Sequence, residues 1–209
     1  MHIETIPVGP LETNCYLVWD ESSHQALLID PGGDTDHLLE LIRRHSLSLQ
    51  AILLTHAHID HILGVGQMAA SLDCPVWLHP DDHPLYNSPV NALPPWLPPA
   101  SGLPAPSKHA PSDINGLEFE ILHTPGHTPG GCCFYFASAA ALFAGDTLFA
   151  GSIGRTDLPG GDHATLLKSI RDILMPLPPA TRVFPGHGPS TTIGQEKSGN
   201  IFVAASLTM

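Results

Sequence analysis

Residues 55–61 read Thr-His-Ala-His-Ile-Asp-His, directly after the apolar run Ala51-Ile52-Leu53-Leu54. His56 and His58 are two positions apart, so an extended backbone turns both rings to the same side. Asp60 continues that alternation, and His61 leaves it where the chain turns into a helix. Four nitrogen and oxygen donors converging at the end of a buried strand form a site for one or two hard-to-borderline divalent ions. A histidine-rich surface tract would not follow a strand of this apolarity.

Three further donors share the same context, a short turn after an apolar strand. His127 lies in T-P-G-H-T-P-G-G, Asp146 in L-F-A-G-D-T-L-F and His187 in V-F-P-G-H-G-P. A glycine before the donor lets the backbone approach closely or take positive φ. One cluster offers at most four donors, so a two-metal site needs these additional residues. Two divalent ions about 3.5–4 Å apart share a water, lower its pKa towards neutrality and polarise the oxygen under attack. Asp30, which ends an early strand before Pro31-Gly32-Gly33, fits either an outer position that fixes a ligand histidine or a turn cap. Both roles are compatible.

The positioning elements follow from periodicity. Strands are expected at Ile3–Val8, Asn14–Trp19, Ala26–Ile29, Ala51–Leu54 and Pro75–Leu78, separated by turn signals. A helix from about Thr35 to His45 carries Leu38, Leu39, Leu41 and Ile42 on one face, and another follows the histidine cluster to about Ser71. Residues 80–111 hold ten of the 22 prolines, cannot form a regular element on that composition, and suit a lid over a cleft. Strands return at Leu117–Leu122, Cys132–Phe136, Ala141–Phe143 and Arg182–Phe184, with a helix over Asp162–Leu174 capped by Asp162. This order suits an α+β chain of two face-to-face sheets with helices outside, forming a single domain over residues 1–209. An internal echo is visible: strands end in Asp-Pro-Gly at Asp30 and Gly-Asp at Asp146, and others in Thr-His at His56 and Gly-His at His187.

The bulk numbers exclude several classes. With 20 acidic residues against 8 basic, the net charge of -12 leaves no footprint for nucleic acid or for an anionic membrane surface. No apolar stretch approaches the ~18 residues of a spanning helix. Met1-His2-Ile3-Glu4 does not open a secretory signal, and Cys15, Cys74, Cys132 and Cys133 lack C-x-x-C spacing. They read as small buried residues in a reducing compartment, so a cytoplasmic location is expected. His2, His24, His37, His45 and His109 fall in termini, turns or exposed helix positions and are read as structural.

The set Asp30, T-H-A-H-I-D-H, His127, Asp146 and His187 resembles the metallo-β-lactamase superfamily, over essentially residues 2 to 195. The resemblance implies an αββα sandwich with the site at the sheet edge. It also implies one metal on His56, His58 and His127, a second on Asp60, His61 and His187, and Asp146 as the bridge, with Asp60 and Asp146 the catalytic carboxylates. Zinc is the first expectation for the two ions, with iron or manganese as alternatives. The class B lactamases have a cysteine where this chain has Asp146, which disfavours antibiotic hydrolysis.

G-P-L-E-T-N-C-Y-L, H-T-P-G-H-T-P-G-G and the Gly151–Asp162 segment are similar to glyoxalase II-like hydrolases, most closely their compact bacterial branch. In that family a basic residue and an aromatic pair in this loop contact glutathione. Arg155 matches the basic residue and can hold a substrate carboxylate, whereas Thr156 and Asp157 replace the aromatics. Arg155 could instead pair with Asp157 or Asp162. Only 22 residues follow His187, so the C-terminal helical domain of full-length glyoxalase II is expected to be missing. The implied activity is hydrolysis of a small-molecule thioester such as S-lactoylglutathione, by a monomer or small homo-oligomer. A mononuclear iron persulfide dioxygenase, an acyl-homoserine lactonase and a non-catalytic metal-binding regulatory module are the alternatives.

Overall fold

The computed structural model describes residues 1–92, 95, 97, 99–100, 103–111, 114 and 116–207, with side chains to 204. The chain divides into two compact units, Met1–Glu118 and Phe119–Met209. Each contains one five-stranded mixed sheet. The expected class, two mixed sheets flanked by helices, is the one observed.

In the first unit β1 (His2–Val8), β2 (Thr13–Trp19) and β3 (Gln25–Ile29) form an antiparallel meander. α1 (Thr35–Arg44) then crosses over to β4 (Ser48–Leu53), which pairs with β3 in parallel. A parallel pair requires such a crossover. The apolar side chains at Leu38, Leu39, Leu41 and Ile42 are buried as their spacing demands, in one core with Leu28, Ile52 and Leu54. All seven residues of β2 are buried, the pattern of a strand covered on both faces.

β4 begins three residues earlier than its apolar run, because Ser48 and Leu49 pair with Gln25 and Ala26 of β3, with Gln50 at the bulge where the register shifts. The helix expected after the histidine cluster is broken into α2 (Ile59–Ile62) and α3 (Val65–Leu72). At the break the Gly64 N–H donates to Pro31 O at 2.9 Å. β5 (Val76–Trp77) closes the sheet.

Residues 80–111 depart from the irregular segment expected. A 3-10 turn at Pro80–Asp82, α4 (His83–Tyr86) and a 3-10 turn at Pro89–Asn91 follow one another. Proline sits in the first turn of each, where its missing N–H removes no internal bond and its fixed φ suits a helix. Asp82, Tyr86 and Asn91 are buried. Trp96 lies outside the described residues.

In the second unit β6 (Glu120–His123), β7 (Cys132–Phe136) and β8 (Ala141–Gly145) form another antiparallel meander. β6 starts later than expected because Leu117 N bonds Ile114 O in a turn. A small ribbon of β9 (Leu148–Phe149) and β10 (Ser152–Ile153) follows, and its two-residue strands are too short to show alternation in sequence. α5 (His163–Ser169) is capped by Asp162, which accepts from Thr165 N at 2.7 Å, and continues as a π-helical turn at Ile170–Leu174. β11 (Arg182–Pro185) pairs with β8 in parallel, β12 (Thr191–Thr192) pairs with β11, and α6 (Ile193–Gly199) and α7 (Ile201–Leu207) end the chain. Among the described residues no helix is long and apolar enough to cross a membrane.

The echo heard in sequence is a repeat of topology. Each unit is a meander whose third strand, β3 or β8, takes a parallel neighbour, β4 or β11, by a crossover. Asp30 and Asp146 directly follow the third strands; His56 and His187 follow the parallel neighbours.

One close approach locks the first unit's two turns together. A Cβ on Gly32 would stand 1.6 Å from Asp60 O, so only glycine fits there. Gly32→Ala should therefore destabilise by roughly 1–3 kcal/mol or more, as overpacking does. Gly199→Ala, at a helical position with nothing within 4 Å, should instead be neutral or slightly stabilising. Urea unfolding of the two variants decides the point: equal midpoints would refute the interlock.

Candidate metal centre

Within the first unit the donors stand on one hydrogen-bonded frame. Asp30 accepts from Thr55 N at 2.8 Å, from Thr55 Oγ1 at 2.6 Å and from His61 Nδ1 at 2.9 Å. Thr55 gives its one hydroxyl proton to Asp30, so its oxygen accepts from His56 Nδ1 at 3.1 Å. Both imidazoles thereby carry their proton on Nδ1 and present the Nε2 lone pair, as metal ligands fixed by an outer partner do. The donor atoms of Asp30, His56 and His61 lie within 4.8 Å of one another. Asp30 already accepts three hydrogen bonds, so its carboxylate is committed to Thr55 and His61. It is 1 % exposed and sits at φ 51.

His58 and Asp60 come from the turn itself. His58 is the extended residue before α2, at φ -68 and ψ 148, and His61 N returns to His58 O at 3.0 Å. That switch from extended to helical backbone is what takes His61 out of the alternation. The His56 ring lies 4.9 Å from that of His58 and 4.1 Å from that of His61, centroid to centroid. Asp60 Oδ2 accepts from Thr13 Oγ1 at 3.0 Å and stands 3.5 Å from His61 Nε2. Buried Asp82 holds the turn from below, accepting from Ala57 N at 2.9 Å.

The second unit repeats the device with different contacts. His127 Nδ1 donates to Arg155 O at 2.7 Å, which again leaves Nε2 as the lone pair. Asp146 Oδ2 lies 3.6 Å from His127 Nε2 and 3.8 Å from His187 Nε2. The Gly154 backbone covers Asp146, where a Cβ would meet Asp146 O at 1.8 Å. The Arg155 guanidinium is bidentate on Asp157, with both contacts at 2.7 Å, and Arg155 is 58 % exposed. That hydrogen bond pulls the Asp157 carboxyl down to about 2.

The spacings fit a divalent ion. Nitrogen-to-oxygen separations of 3.5, 3.6 and 3.8 Å exceed a hydrogen bond. Two ligands each ~2.1 Å from one ion, subtending roughly 110–130°, have just this separation. The donors are neutral imidazoles and carboxylates, the set for zinc, iron or manganese. Burial pushes the Cys133 thiol up to about 11 and the Cys15 thiol well above its ordinary value, and among the described residues no cysteine joins a candidate donor group.

Every sequence-predicted donor thus belongs to one of two clusters: His56, His58, Asp60 and His61 with Asp30, and His127, Asp146 and His187. Sequence reasoning missed Thr13, Thr55, Asp82 and the Arg155 carbonyl. Thr13 and Thr55 stand inside quoted motifs, where a hydroxyl beside a carboxylate donor is a usable signal. A main-chain carbonyl and Asp82 carry no such mark.

A family model described as the metallo-beta-lactamase superfamily matches residues 8–187. Hydroxyacylglutathione hydrolase GloC of Haemophilus influenzae is 42% identical, covering 97% of this chain and 98% of its own length. The crystal structure of BLEG-1 B3 metallo-beta-lactamase aligns with a TM-score of 0.85 at 41% identity, over 97% of this chain and 99% of that one. That of TTHA1623 in a di-iron-bound form also gives 0.85, at 44% identity, over 95% of this chain and 99% of that one.

Two predictions follow from the frame. Asn tolerates the left-handed backbone at position 30 but offers His61 an amide, so Asp30→Asn should stay folded and lose roughly 10–100-fold in zinc affinity. Chelator competition measures it; unchanged affinity would reduce Asp30 to a turn cap. All four cysteines are buried, and burial holds Cys74 at about 11. The native protein should therefore be inert to a thiol reagent at pH 7 and release four equivalents on unfolding. A fast-reacting native thiol would contradict this.

Proposed function

The chain belongs to the metallo-β-lactamase superfamily, and from that membership we propose that its two donor clusters act together as one dinuclear centre of a thioester hydrolase. The observation that carries the substrate class is the 42% identity to hydroxyacylglutathione hydrolase GloC over nearly the whole of both chains. The substrate is a small S-acyl thiol, with S-lactoylglutathione the first candidate. His56, His58 and His127 are assigned to one ion, Asp60, His61 and His187 to the other, and Asp146 to both. Zinc or iron suits these donors, and the similar protein in a di-iron-bound form gives iron specific support.

When bound, such ions supply a hydroxide nucleophile at neutral pH and polarise the acyl carbonyl. The chain's own groups do the rest. Asp30 keeps His61, and through Thr55 also His56, in the Nδ1-protonated tautomer, so neither ring must reorganise. Thr13 fixes Asp60, one of the two carboxylates assigned to orient the attacking oxygen, and Asp146 is the other. Arg155 uses Nε and Nη2 on Asp157, leaving Nη1 to meet a substrate carboxylate. Residues 80–111 are the segment proposed to cover the substrate, and the cytoplasm is the proposed location.

A second reading has its own observation, since BLEG-1, 41% identical, is named a B3 metallo-beta-lactamase. The two are separated by a panel of thioesters, a chromogenic β-lactam, an acyl-homoserine lactone and glutathione persulfide, run on protein with measured metal content. Thioesters should turn over fastest with close to two ions per chain. His58→Ala and Asp146→Ala, each verified as folded, should lose more than the roughly 10–100-fold typical of an outer-shell partner. Full thioesterase activity in either variant would end the proposal, as would fastest turnover of the β-lactam.

A further inference from the structure

Glu196 lies in α6, nine residues beyond the last donor, and is 4 % exposed. Three neutral donors converge on its two oxygens: Thr191 Oγ1 on Oε1 at 2.6 Å, and Gly151 N and Asn200 Nδ2 on Oε2 at 2.9 and 2.8 Å. Asn200 Nδ2 also donates to Ser152 O at 2.9 Å, while its Oδ1 accepts from Phe202 N at 3.0 Å. Two buried side chains of one helix end therefore grip two consecutive residues of the segment that follows Asp146. A buried carboxylate is retained only where its acceptor capacity is filled, and here Gly151 N of the loop fills it together with Thr191 and Asn200.

The gripped segment leads directly to a donor. Three residues after Gly151, Gly154 N bonds Thr147 O at 3.4 Å and its backbone lies flat against Asp146. The next residue, Arg155, presents the carbonyl that takes the His127 Nδ1 proton at 2.7 Å. Nothing on the Arg155 side chain contributes to that bond. The carbonyl's place is set by the loop, and the loop's start is set by Glu196 and Asn200.

We propose that Glu196, with Asn200, is a positioning residue for His127: it holds residues 151–155 so that the Arg155 carbonyl keeps His127 in the tautomer that offers Nε2. This rests on the reading of His127 as a metal ligand. Gln could keep the grip, its amide oxygen accepting from Gly151 N and Asn200 Nδ2 while its N–H meets the Thr191 hydroxyl, whose proton can turn to Gln195 Oε1; Ala instead removes the acceptor that Gly151 N and Asn200 Nδ2 share. The grip is remote from substrate, so its signature is in metal binding, with catalysis following.

The experiment compares metal-free wild type, E196A, N200D and I193V for zinc affinity by chelator competition and for the visible spectrum of the cobalt(II) form. N200D keeps an acceptor for Phe202 N but sets a carboxylate oxygen against Ser152 O. I193V loosens the buried packing of α6 and leaves the hydrogen-bonding side chains of the grip in place. E196A and N200D should lose roughly 10–100-fold in zinc affinity at the weaker-held ion and change the cobalt spectrum, as loss of an outer partner does. I193V should match wild type in both, even where its thermal midpoint falls as far. Wild-type affinity in N200D or in folded E196A would overturn the proposal, as would equal losses in I193V. Should E196A not fold, N200D decides. A His127→Ala protein that binds zinc like wild type would instead sink the reading of His127 as a ligand, an outcome distinct from any of these.

Discussion

The carboxylate of Asp30 is the contact on which the first cluster depends. It receives the Thr55 amide, the Thr55 hydroxyl and the His61 ring proton, and through Thr55 it also governs His56. One buried charge thus decides the tautomer of two histidines. Removing it would leave two buried N–H groups competing for a single hydroxyl, a cost that falls on site geometry before it falls on the core. The same residue adopts φ 51 at the end of β3, so the strand's exit and the histidines' orientation are one constraint. Gly32 extends that constraint, because its bare backbone is what lets the turn after Asp30 lie against the Asp60 carbonyl.

Much of this was legible in sequence, and unevenly. The meander strands and α1 declared themselves through apolar period, and Cys132–Phe136 coincides with β7 to the residue. The donors were legible because histidine and aspartate after apolar runs are chemically conspicuous. What escaped was whatever tertiary contact alone determines. The N-terminal half of β4, Ser48-Leu49-Gln50, carries two polar residues and is less buried than the apolar half, and pairing with β3 makes it a strand. The proline-rich stretch read as irregular because proline breaks helices in their interiors, yet each proline that opens a turn there is at a helix start. Arg155 was singled out for its guanidinium. Its carbonyl, which no side-chain argument can reveal, is the atom that meets His127.

The repeat of topology sharpens the contrast between the two carboxylates. Asp30 and Asp146 each follow the third strand of a meander whose parallel neighbour leads into a histidine. Asp30 is saturated by donors: an amide, a hydroxyl and an Nδ1–H. Asp146 Oδ2 instead faces two Nε2 atoms at 3.6 and 3.8 Å. Equivalent backbone positions therefore hold carboxylates in different surroundings.

That divergence has a physical source in what surrounds each turn. Behind Asp30 stands Thr55, two residues beyond the end of β4, whose hydroxyl and amide both point back at the carboxylate. Behind Asp146 the parallel strand ends in Pro185, which has no N–H to give, and Gly186 N is taken by Gly145 O at 2.7 Å. Neither Pro185 nor Gly186 thus reproduces the amide and hydroxyl pair that Thr55 sends to Asp30. The same strand-end position carries an aspartate in each unit, and the residues of the neighbouring strand end set what each carboxylate meets.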